Sequence, residues 1–400
     1  MNVAASKPLQ AGIVGLGMAG AGIVNTLAAI PAVKLVAAAD PREHALAAFR
    51  DQFHGRSYQS VEGLCADPAV EAVWVATPTH LHCEQVIALT EHGKHIVVEK
   101  PMAVTLQECE RMIAAAARNH VVLIAGGARS FDPAFAQMRR IIASGRLGRL
   151  GGLTAWAFLG WMLRPREPHE VDVSRGGGAV YNQAPHPVDV LRLLGGGVVR
   201  SVRAMTGQWL AERPCPGYFS AYLEFEDGVP ATLVYDGYGY LHAWELLPWG
   251  ETPRRQAAAV AANGYRRQLR AHRADEYTAR EMLRFGGAPD RAVSDRADDD
   301  WAPGDAGLVI ASCERGELRQ SATGLYVYDD DGRHDEPLAP GQSLRLNEVS
   351  ELQDAISGRR PALHDGRWGM ATLEVVLAIM QSAAERKEIF LHHQVPVPVN

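Results

Sequence analysis

Three polar side chains stand where an apolar run ends or a helix is about to begin. Glu99 and Lys100 directly follow the apolar run His95–Val98, and burying such a charged pair costs free energy unless it has partners or a task. His186 precedes Pro187, and proline favours the first turn of a helix. A helix N-terminus disfavours the imidazolium, which suits a neutral proton acceptor. Lys100 and His186 are therefore candidate acid/base groups, although a solvent-facing lysine and a helix-capping histidine fit the same patterns.

A glycine-rich turn near the start of the chain has the pattern of a phosphate-binding loop. Gly15, Gly17 and Gly20 form GxGxxG between a β-rich run and a helical segment. The first glycine allows a tight turn, the second lets a pyrophosphate approach the backbone, and the third lets the helix pack on the strand. The amides of Met18 and Ala19 at the helix start, together with the helix dipole, would attract the phosphates.

An acidic residue follows this turn at the spacing of a dinucleotide site. Asp40 ends the next β-rich run, 20 residues after Gly20, where a carboxylate accepts hydrogen bonds from the adenosine ribose. A carboxylate repels the 2′-phosphate of NADP, so NAD is the expected cofactor, while Arg42 leaves NADP possible because guanidinium pairs with phosphate. A purely structural glycine turn is the alternative; the strand, the helix and the acid together favour the dinucleotide.

The elements around these residues alternate through about residue 125. β-rich runs such as Gln10–Val14, Lys34–Ala39 and Val73–Ala76 are separated by helical patterns. This alternation predicts βαβ units and, by the right-handed crossover rule, a doubly wound parallel sheet. We therefore predict an α/β dinucleotide-binding Rossmann domain over residues 1–125.

The pattern changes after about residue 150. Runs such as Leu153–Leu159 and Tyr218–Phe225 are aromatic and β-branched and have few helices between them, which predicts a mixed or antiparallel sheet. We assign residues 126–346 to a second, α+β domain that holds the substrate. Within it, residues 237–302 form an insertion that either covers a site or is partly mobile. Residues 347–400 are predicted to be a helical segment that docks on the body.

Composition narrows the class of protein. The 400 residues carry a net charge of −6, which gives no electrostatic reason to expect nucleic acid or an anionic membrane as a partner. The sequence has no apolar run of the roughly 18 residues that a membrane span needs. The five cysteines are scattered, as is typical of reduced thiols, so a cytoplasmic protein is expected. His80 and His82 lack the ligand pattern of a zinc site, and no metal is predicted.

Taken in order, these motifs resemble the series of the Gfo/Idh/MocA oxidoreductases. The series is GxGxxG, then TPxxxH at Thr77–His82, then Glu99-Lys100-Pro101, then a glycine-rich turn that leads to Asn182 and His186. The resemblance implies an NAD(P)-dependent dehydrogenase that moves a hydride between a secondary alcohol of a small molecule and nicotinamide. It also implies an open-faced mixed sheet in the second domain, through which a homo-oligomer, a dimer or a tetramer, assembles.

The resemblance assigns roles to individual residues. It implies that Lys100 and His186 lie beside the nicotinamide, and that the Lys100–Pro101 bond is cis. The further residues that it adds to the cofactor site are Thr77, Pro78, His82 and Glu99. Many family members, particularly those acting on sugars and inositols, carry aspartate where this chain has Asn182. Because asparagine orients a hydroxyl but cannot take a proton, Lys100 and His186 remain as the acid/base candidates.

A narrower resemblance concerns the substrate. Tyr181-Asn182-Gln183 with the segments Ser312–Ser321 and Gly324–Tyr328 is similar to phthalate 4,5-cis-dihydrodiol dehydrogenases. Such a diol carries carboxylates, which guanidinium groups bind bidentately. The candidate substrate contacts are Arg129, Arg164 and Gln183, with Arg166 and Arg175 as further candidate cations. The alternatives are a sugar or inositol dehydrogenase or reductase and, in another class, an NAD-binding redox-neutral hydrolase or regulatory protein.

Overall fold

The computed structural model describes residues 7–287 and 306–398, which form two compact units. The first unit comprises residues 7–127, 277–287 and 345–370, and the second comprises residues 128–276, 306–344 and 371–398. The part of the predicted insertion over residues 288–302 lies outside the described residues. The predicted domain bounds at 125 and 346 stay predictions.

The first unit contains a six-stranded sheet in the order β3-β2-β1-β4-β5-β6, and all its neighbours run parallel. The strands are β1 (Leu9–Val14), β2 (Val33–Ala39), β3 (Arg56–Tyr58), β4 (Ala72–Val75), β5 (His95–Val98) and β6 (Leu123–Ala125). The strand order reverses between β1 and β4, and ligands of such sheets bind at the carboxyl ends of the strands near this point. The predicted doubly wound parallel sheet is confirmed; β3, three residues long, was not predicted.

The helices between these strands cover the sheet. They are α1 (Met18–Ala28), α2 (Glu43–Phe53), α3 (Val61–Cys65), α4 (His82–Glu91) and α5 (Leu106–Arg118). The start of α5 has a capping box, in which the Thr105 hydroxyl accepts from the Glu108 amide at 3.2 Å and the Glu108 carboxylate accepts from the Thr105 amide at 3.1 Å. This reciprocal pair satisfies two donors that a helix start would otherwise leave unpaired. All four residues of β4 are buried, as expected for a strand that is covered on both faces.

The second unit contains a nine-stranded sheet in the order β14-β13-β12-β11-β7-β10-β9-β8-β15, in which β7 and β10 run parallel and the other pairs antiparallel. The strands are β7 (Leu150–Phe158), β8 (Val199–Gly207), β9 (Tyr218–Phe225), β10 (Pro230–Asp236), β11 (Leu308–Cys313), β12 (Gly316–Gln320), β13 (Gly324–Asp329), β14 (Gly332–Pro337) and β15 (Ile389–Phe390). The predicted mixed sheet is confirmed. Strands β11 to β14 were not predicted; β14 is almost wholly exposed, so it lacks the apolar alternation of a half-buried strand.

The second unit also contains α6 (Pro133–Ala143), α7 (Ala179–Gln183), α8 (Pro185–Leu194) and α9 (Pro253–Arg270). The chain continues with α10 (Glu276–Glu281), α11 (Leu344–Ile356) and α12 (Gly366–Glu385). The predicted helices near the C-terminus correspond to α11 and α12. Val375, Val376 and Ile379 of α12 are fully buried, so this helix is buried on more than one side. None of the helices in residues 7–287 and 306–398 is both long and apolar enough to span a lipid bilayer.

Candidate active site

The glycine turn after β1 has the geometry that a dinucleotide needs. Gly15 has a φ of +92°, and a Cβ there would lie 2.8 Å from the carbonyl oxygen of Ala76. A Cβ on Gly20 would lie 1.9 Å from the carbonyl oxygen of Gly15, so α1 can pack this closely only with glycine. A Cβ on Gly17 would meet nothing within 4 Å. The first and third glycines are therefore required by the fold, while the second leaves open space at the start of α1.

The start of α1 offers backbone donors to a phosphate. Gly17 is the N-cap residue and has no side chain to cap the helix, and the first turn contains no acidic residue. The first amides of the helix, which include those of Met18 and Ala19, have no intrahelical acceptor. Such amides, with the positive end of the helix dipole, bind phosphate. These residues fit the pyrophosphate of NAD.

Asp40 is buried at the carboxyl end of β2 and shares its carboxylate with Arg42. Its Oδ2 accepts from the Leu16 amide at 2.7 Å, and its Oδ1 accepts from the Arg42 amide at 2.9 Å. The Nε and Nη2 of Arg42 each donate to the carboxylate at 2.9 Å. The third nitrogen, Nη1, is buried and has no hydrogen-bond partner among the described residues. The positive charge of Arg42 therefore offsets the negative charge of Asp40, which was expected to repel the 2′-phosphate of NADP.

The connection after β4 is held by His82. Thr77 and Pro78 lead from the strand into a short 3-10 turn, and His82 begins α4. The His82 Nε2 lies 2.9 Å from the carbonyl oxygen of Thr77, and its Nδ1 lies 3.2 Å from that of Met102. Burial lowers the pKa of this histidine, and the bonds to the carbonyl groups only partly oppose the shift. The His82 side chain thus joins the loop after β4 to the segment after Lys100.

Lys100 follows β5 together with the largely buried Glu99, and the Lys100–Pro101 peptide is cis, as the family resemblance implies. The Glu99 Oε1 lies 3.8 Å from the Nη2 of Arg345. Burial raises the pKa of Glu99, while the positive charges of Arg345 and Lys100 oppose this shift. A Cβ on Gly127, whose φ is +66°, would lie 2.5 Å from the Glu99 Oε2. The Glu99 carboxylate is therefore enclosed between a glycine and two cations.

A second carboxylate completes this cluster. Glu348 is fully buried and accepts from the Trp74 Nε1 at 2.9 Å and from the Gly127 amide at 2.9 Å. It also forms an ion pair with Arg345, three residues before it on α11. Burial alone would lower the pKa of Arg345, but the carboxylates of Glu348 and Glu99 outweigh it and raise the pKa. Sequence reasoning missed both residues, because no local motif links α11 to β5.

In the second unit, α7 and α8 carry three predicted residues. Asn182 lies on α7, and its Nδ2 is 3.4 Å from the carbonyl oxygen of Gly178. Gln183 is buried, and its Nε2 donates to the carbonyl oxygen of Asn182 at 3.2 Å. Its Oε1 has no hydrogen-bond partner in the part of the chain that the structure describes. His186 is buried in the first turn of α8, which begins at Pro185. The helix begins two residues before Pro187, so His186 lies near a helix N-terminus, as the sequence predicts.

Two buried charged residues fix α8 in the second unit. The Asp189 Oδ2 accepts from the Ser130 amide at 2.7 Å and from the Ser130 hydroxyl at 2.6 Å. This pair ties α8 to the 3-10 turn Arg129–Phe131, which carries a predicted substrate residue. Arg192, which has no exposed surface, donates to the Thr372 hydroxyl at 2.8 Å. Burial lowers the pKa of Arg192, and Asp189 and a second carboxylate oppose the shift.

The other candidate cations differ in their surroundings. Arg129 is half-buried, whereas Arg164 is exposed. Arg166 is buried, its guanidinium carbon lies 3.7 Å from the ring centroid of Trp161, and its Nη2 donates to the Trp161 carbonyl oxygen at 2.8 Å. Arg175 is exposed and lies 3.7 Å from Asp172. Among the described residues, no group of three histidine, cysteine or acidic side chains is arranged to hold a metal ion.

Comparisons with known proteins agree with this geometry. A model of the oxidoreductase family with the NAD-binding Rossmann fold matches residues 9–126, and a model of the GFO/IDH/MocA C-terminal domain matches residues 135–243. The 1-carboxy-3-chloro-3,4-dihydroxycyclo hexa-1,5-diene dehydrogenase of Comamonas testosteroni is 33% identical over 93% of this chain and 94% of its own length. The chain is a member of the Gfo/Idh/MocA oxidoreductase family.

Other Gfo/Idh/MocA similarities differ in coverage. The levoglucosan dehydrogenase of Pseudarthrobacter phenanthrenivorans is 33% identical over 46% of this chain and 48% of its own length. The crystal structure of a protein from Bordetella bronchiseptica RB50, named as a dehydrogenase without a stated substrate, matches with a TM-score of 0.87 at 34% identity, covering 96% of this chain and all of its own. This Gfo/Idh/MocA protein is an NAD-dependent oxidoreductase with a Rossmann domain and a separate mixed-sheet domain. The predicted family, fold class and cofactor are confirmed.

Proposed function

We propose that the enzyme oxidises a carboxylated aromatic cis-dihydrodiol, with phthalate 4,5-cis-dihydrodiol as the best candidate. The observation that carries this proposal is the coverage of the relative named for a carboxylated dihydroxycyclohexadiene, which matches 93% of the chain, against 46% for the levoglucosan dehydrogenase. Asn182 supports it as well, because many sugar and inositol dehydrogenases of the family carry aspartate there. A sugar or inositol dehydrogenase or reductase is the second candidate.

In this proposal Lys100 is the base. Bound NAD would supply the acceptor for the hydride that leaves the carbinol carbon. The Lys100 Nζ takes the proton of the hydroxyl on that carbon, for which the lysine must be the neutral amine. His186 relays this proton to solvent or serves as the alternative base. The Asn182 amide orients the second hydroxyl without exchanging a proton.

The fate of the product gives the reaction its direction. Loss of a hydride and a hydroxyl proton leaves a ketone next to the remaining carbinol carbon of the ring. That carbon releases its proton and the ketone oxygen gains one, so the product tautomerises to a catechol. Because the catechol ring is aromatic, this tautomerisation draws the oxidation forward.

The cofactor contacts divide into direct and supporting residues. We propose that the turn Gly15–Gly20, with the amides of Met18 and Ala19, binds the pyrophosphate. Asp40 and Arg42 then face the adenosine ribose. The loops after β4 and β5 carry the remaining contacts to the cofactor. The residues that support these loops are Thr77, Pro78, His82 and Glu99.

The substrate carboxylate requires a fixed cation. We propose Arg129 for this role, because its turn is tied to α8 by the two bonds between Ser130 and Asp189. Arg164 is exposed and would act from the rim of the site. The unsatisfied Oε1 of buried Gln183 would accept a hydrogen bond from a substrate hydroxyl.

The test is NADH formation by the purified enzyme with NAD and each of four substrates. These are the phthalate cis-4,5-dihydrodiol, the same ring diol without carboxylates, levoglucosan and myo-inositol. Rapid reduction with the carboxylated diol alone supports the proposal. Reduction with the polyols and not with the diol contradicts it and favours the second candidate. Bound cofactor with no net NADH on any substrate favours a redox-neutral hydrolase or a regulatory protein.

We also propose that the enzyme is a homo-oligomer, a dimer or a tetramer, assembled through the nine-stranded sheet. Large apolar side chains are exposed on three strands of that sheet, β7, β9 and β8: Trp156 at 41%, Tyr222 at 46% and Met205 at 47%. A second copy of this chain is the partner that the family resemblance implies. Light scattering of the wild type and of Tyr222→Lys tests this proposal, because a charge in the interface should release smaller species. A monomeric wild type would contradict it.

The cysteines support a location in the reducing cytoplasm. All five are free thiols, and four of them are buried. Burial raises the pKa of Cys83 to about 11, so this thiol stays protonated and unreactive near neutral pH. Unaltered activity in millimolar dithiothreitol and recovery of the enzyme in the cytoplasmic fraction would support this location; recovery in a secreted fraction would contradict it.

A further inference from the structure

A segment late in the chain packs on the dinucleotide turn of the first unit. The Phe285 amide donates to the carbonyl oxygen of Leu16 at 3.2 Å. The ring of Phe285 is buried and stacks on Phe53 of α2 with a centroid distance of 6.4 Å. Gly286 has a φ of +76°, and a Cβ there would lie 3.2 Å from the Cβ of Ala48. Residues 280–287, which we call the adenosine-side segment, therefore extend from the turn after β1 to α2.

The first arginine of this segment lies at the start of α1. Arg280 is buried, and its Nη1 is 3.5 Å from the Sδ of Met18, the first residue of that helix. The pyrophosphate of a dinucleotide binds at the N-terminus of this helix in a Rossmann domain. The segment thus brings a guanidinium to the end of the helix where the phosphates bind.

The second arginine lies by the end of β2. Arg284 is largely buried and forms an ion pair with Glu281. The next residue, Phe285, donates its amide to the carbonyl oxygen of Leu16, and the Leu16 amide donates to the Asp40 Oδ2 at 2.7 Å. Burial and the positive charge of Arg42 lower the pKa of Arg284, while Asp40 opposes this shift. The adenosine ribose of a dinucleotide binds at this strand end.

The side chains of this region carry more positive than negative charge, which favours binding of an anion. Three guanidinium groups, those of Arg42, Arg280 and Arg284, lie near two carboxylates, those of Asp40 and Glu281. The Nη1 of Arg42 is buried without a hydrogen-bond partner in the described part of the chain, and a buried donor of this kind loses its hydration without compensation. A phosphate group would supply the missing charge and acceptor oxygens.

We propose that the adenosine-side segment is part of the NAD site, with Arg280 binding the pyrophosphate and Arg284 lying at the adenosine ribose beside Arg42. In this arrangement Asp40 no longer repels a 2′-phosphate, because two guanidinium groups flank it, and the enzyme binds NADP as well as NAD. The inference concerns nucleotide binding and is independent of the proposed diol substrate.

The test measures the dissociation constants of NADH, NADPH and ADP by calorimetry on the full-length enzyme without substrate. Arg280→Ala and Arg280→Met should weaken all three ligands by about tenfold or more, since a charge-assisted hydrogen bond is lost. Arg284→Ala should weaken NADPH by about tenfold and NADH by less. The matched control is Arg273→Ala, which removes an exposed arginine nearby in the chain and should change no constant.

Two results would overturn the proposal. One is wild-type affinity for NADH and ADP in both Arg280 variants, each shown by circular dichroism to be folded. The other is an equal loss in Arg273→Ala, which would indicate a general effect of positive charge. The Arg280→Met variant keeps most of the buried stem, so it guards against a loss of affinity that is caused only by misfolding. Because no substrate is present, failure of the diol proposal leaves these outcomes unchanged.

Discussion

The surroundings of the two acid/base candidates are built in different ways. Lys100 follows a strand of the first unit, and next to it lies a buried ionic cluster of Glu99, Arg345 and Glu348. His186 lies in the first turn of a helix in the second unit, and that helix is fixed by hydrogen bonds from Ser130 to Asp189. Charges therefore surround the lysine, whereas the histidine is placed by the rigidity of its helix. The segment that carries Lys100 is thus anchored by ion pairs, whereas the helix that carries His186 is anchored by hydrogen bonds to a neighbouring turn.

The largest expected effect separates these two roles directly. Lys100→Ala should lower kcat by about a hundredfold to ten-thousandfold, the usual contribution of a general base, while NADH binding stays within about twofold of the wild type. His186→Gln should lower kcat less, because a relay to solvent can be replaced by water. Steady-state rates and NADH titrations on both variants check this. Near-normal turnover of Lys100→Ala with cofactor bound would rule out the scheme.

The second prediction concerns the stability of the ionic cluster. Arg345→Met should lower the free energy of unfolding by about 3–5 kcal/mol, because it leaves the buried carboxylate of Glu348 without its cation and that of Glu99 with Lys100 alone. The matched control is Arg359→Met, which removes a more exposed pair with Asp354 and should cost about 1 kcal/mol or less. Urea unfolding of the two variants gives the comparison. Similar losses of unfolding free energy in both variants would mean that the buried ionic cluster contributes no more to stability than a surface ion pair.

The third prediction concerns the positioning of α8. Asp189→Ala should cost about 2 kcal/mol, since the buried Ser130 amide and hydroxyl lose their acceptor. If Arg129 binds a substrate carboxylate, the same variant should raise KM for a carboxylated diol more than it lowers kcat. Ser130→Ala, which removes only the hydroxyl bond, is the milder control. A fall in kcat with KM unchanged would place Asp189 in the chemical step instead.

The smallest expected effect is a pH dependence. Burial raises the folded-state pKa of Glu99 above its ordinary value of 4.5, so the folded protein binds this proton more tightly than the unfolded chain does. The contribution of Glu99 to stability is therefore complete below about pH 4.5 and is lost as pH rises through the folded pKa. Glu99→Gln should reduce that loss and so flatten the pH dependence between pH 5 and 8. Thermal unfolding across this range measures it; parallel curves for both proteins would contradict the shift.

Much of the fold and part of the candidate site could be predicted from the sequence, because the signals are local. The glycines at 15, 17 and 20 and the acid at 40 lie within one βαβ unit, where strand, turn and helix follow one another along the chain. Strands β11 to β14 escaped prediction, since their pairing partners are set by the rest of the sheet. The pairing of Arg42 with Asp40, only two residues away, was missed for another reason, because it depends on side-chain geometry.

By itself, the sequence determined the doubly wound sheet, the glycine-rich turn after β1 and the family, because each depends on periodicity or on motifs of a few adjacent residues. Only the tertiary structure revealed that Arg345 and Glu348 form a cluster with Glu99, and that the segment of Arg280 and Arg284 packs on the glycine-rich turn after β1. These contacts join residues far apart in the chain, and no local pattern encodes them. Which charged side chains come into contact depends on which distant segments pack against the same strand ends. Tertiary packing decides this, and the local sequence does not.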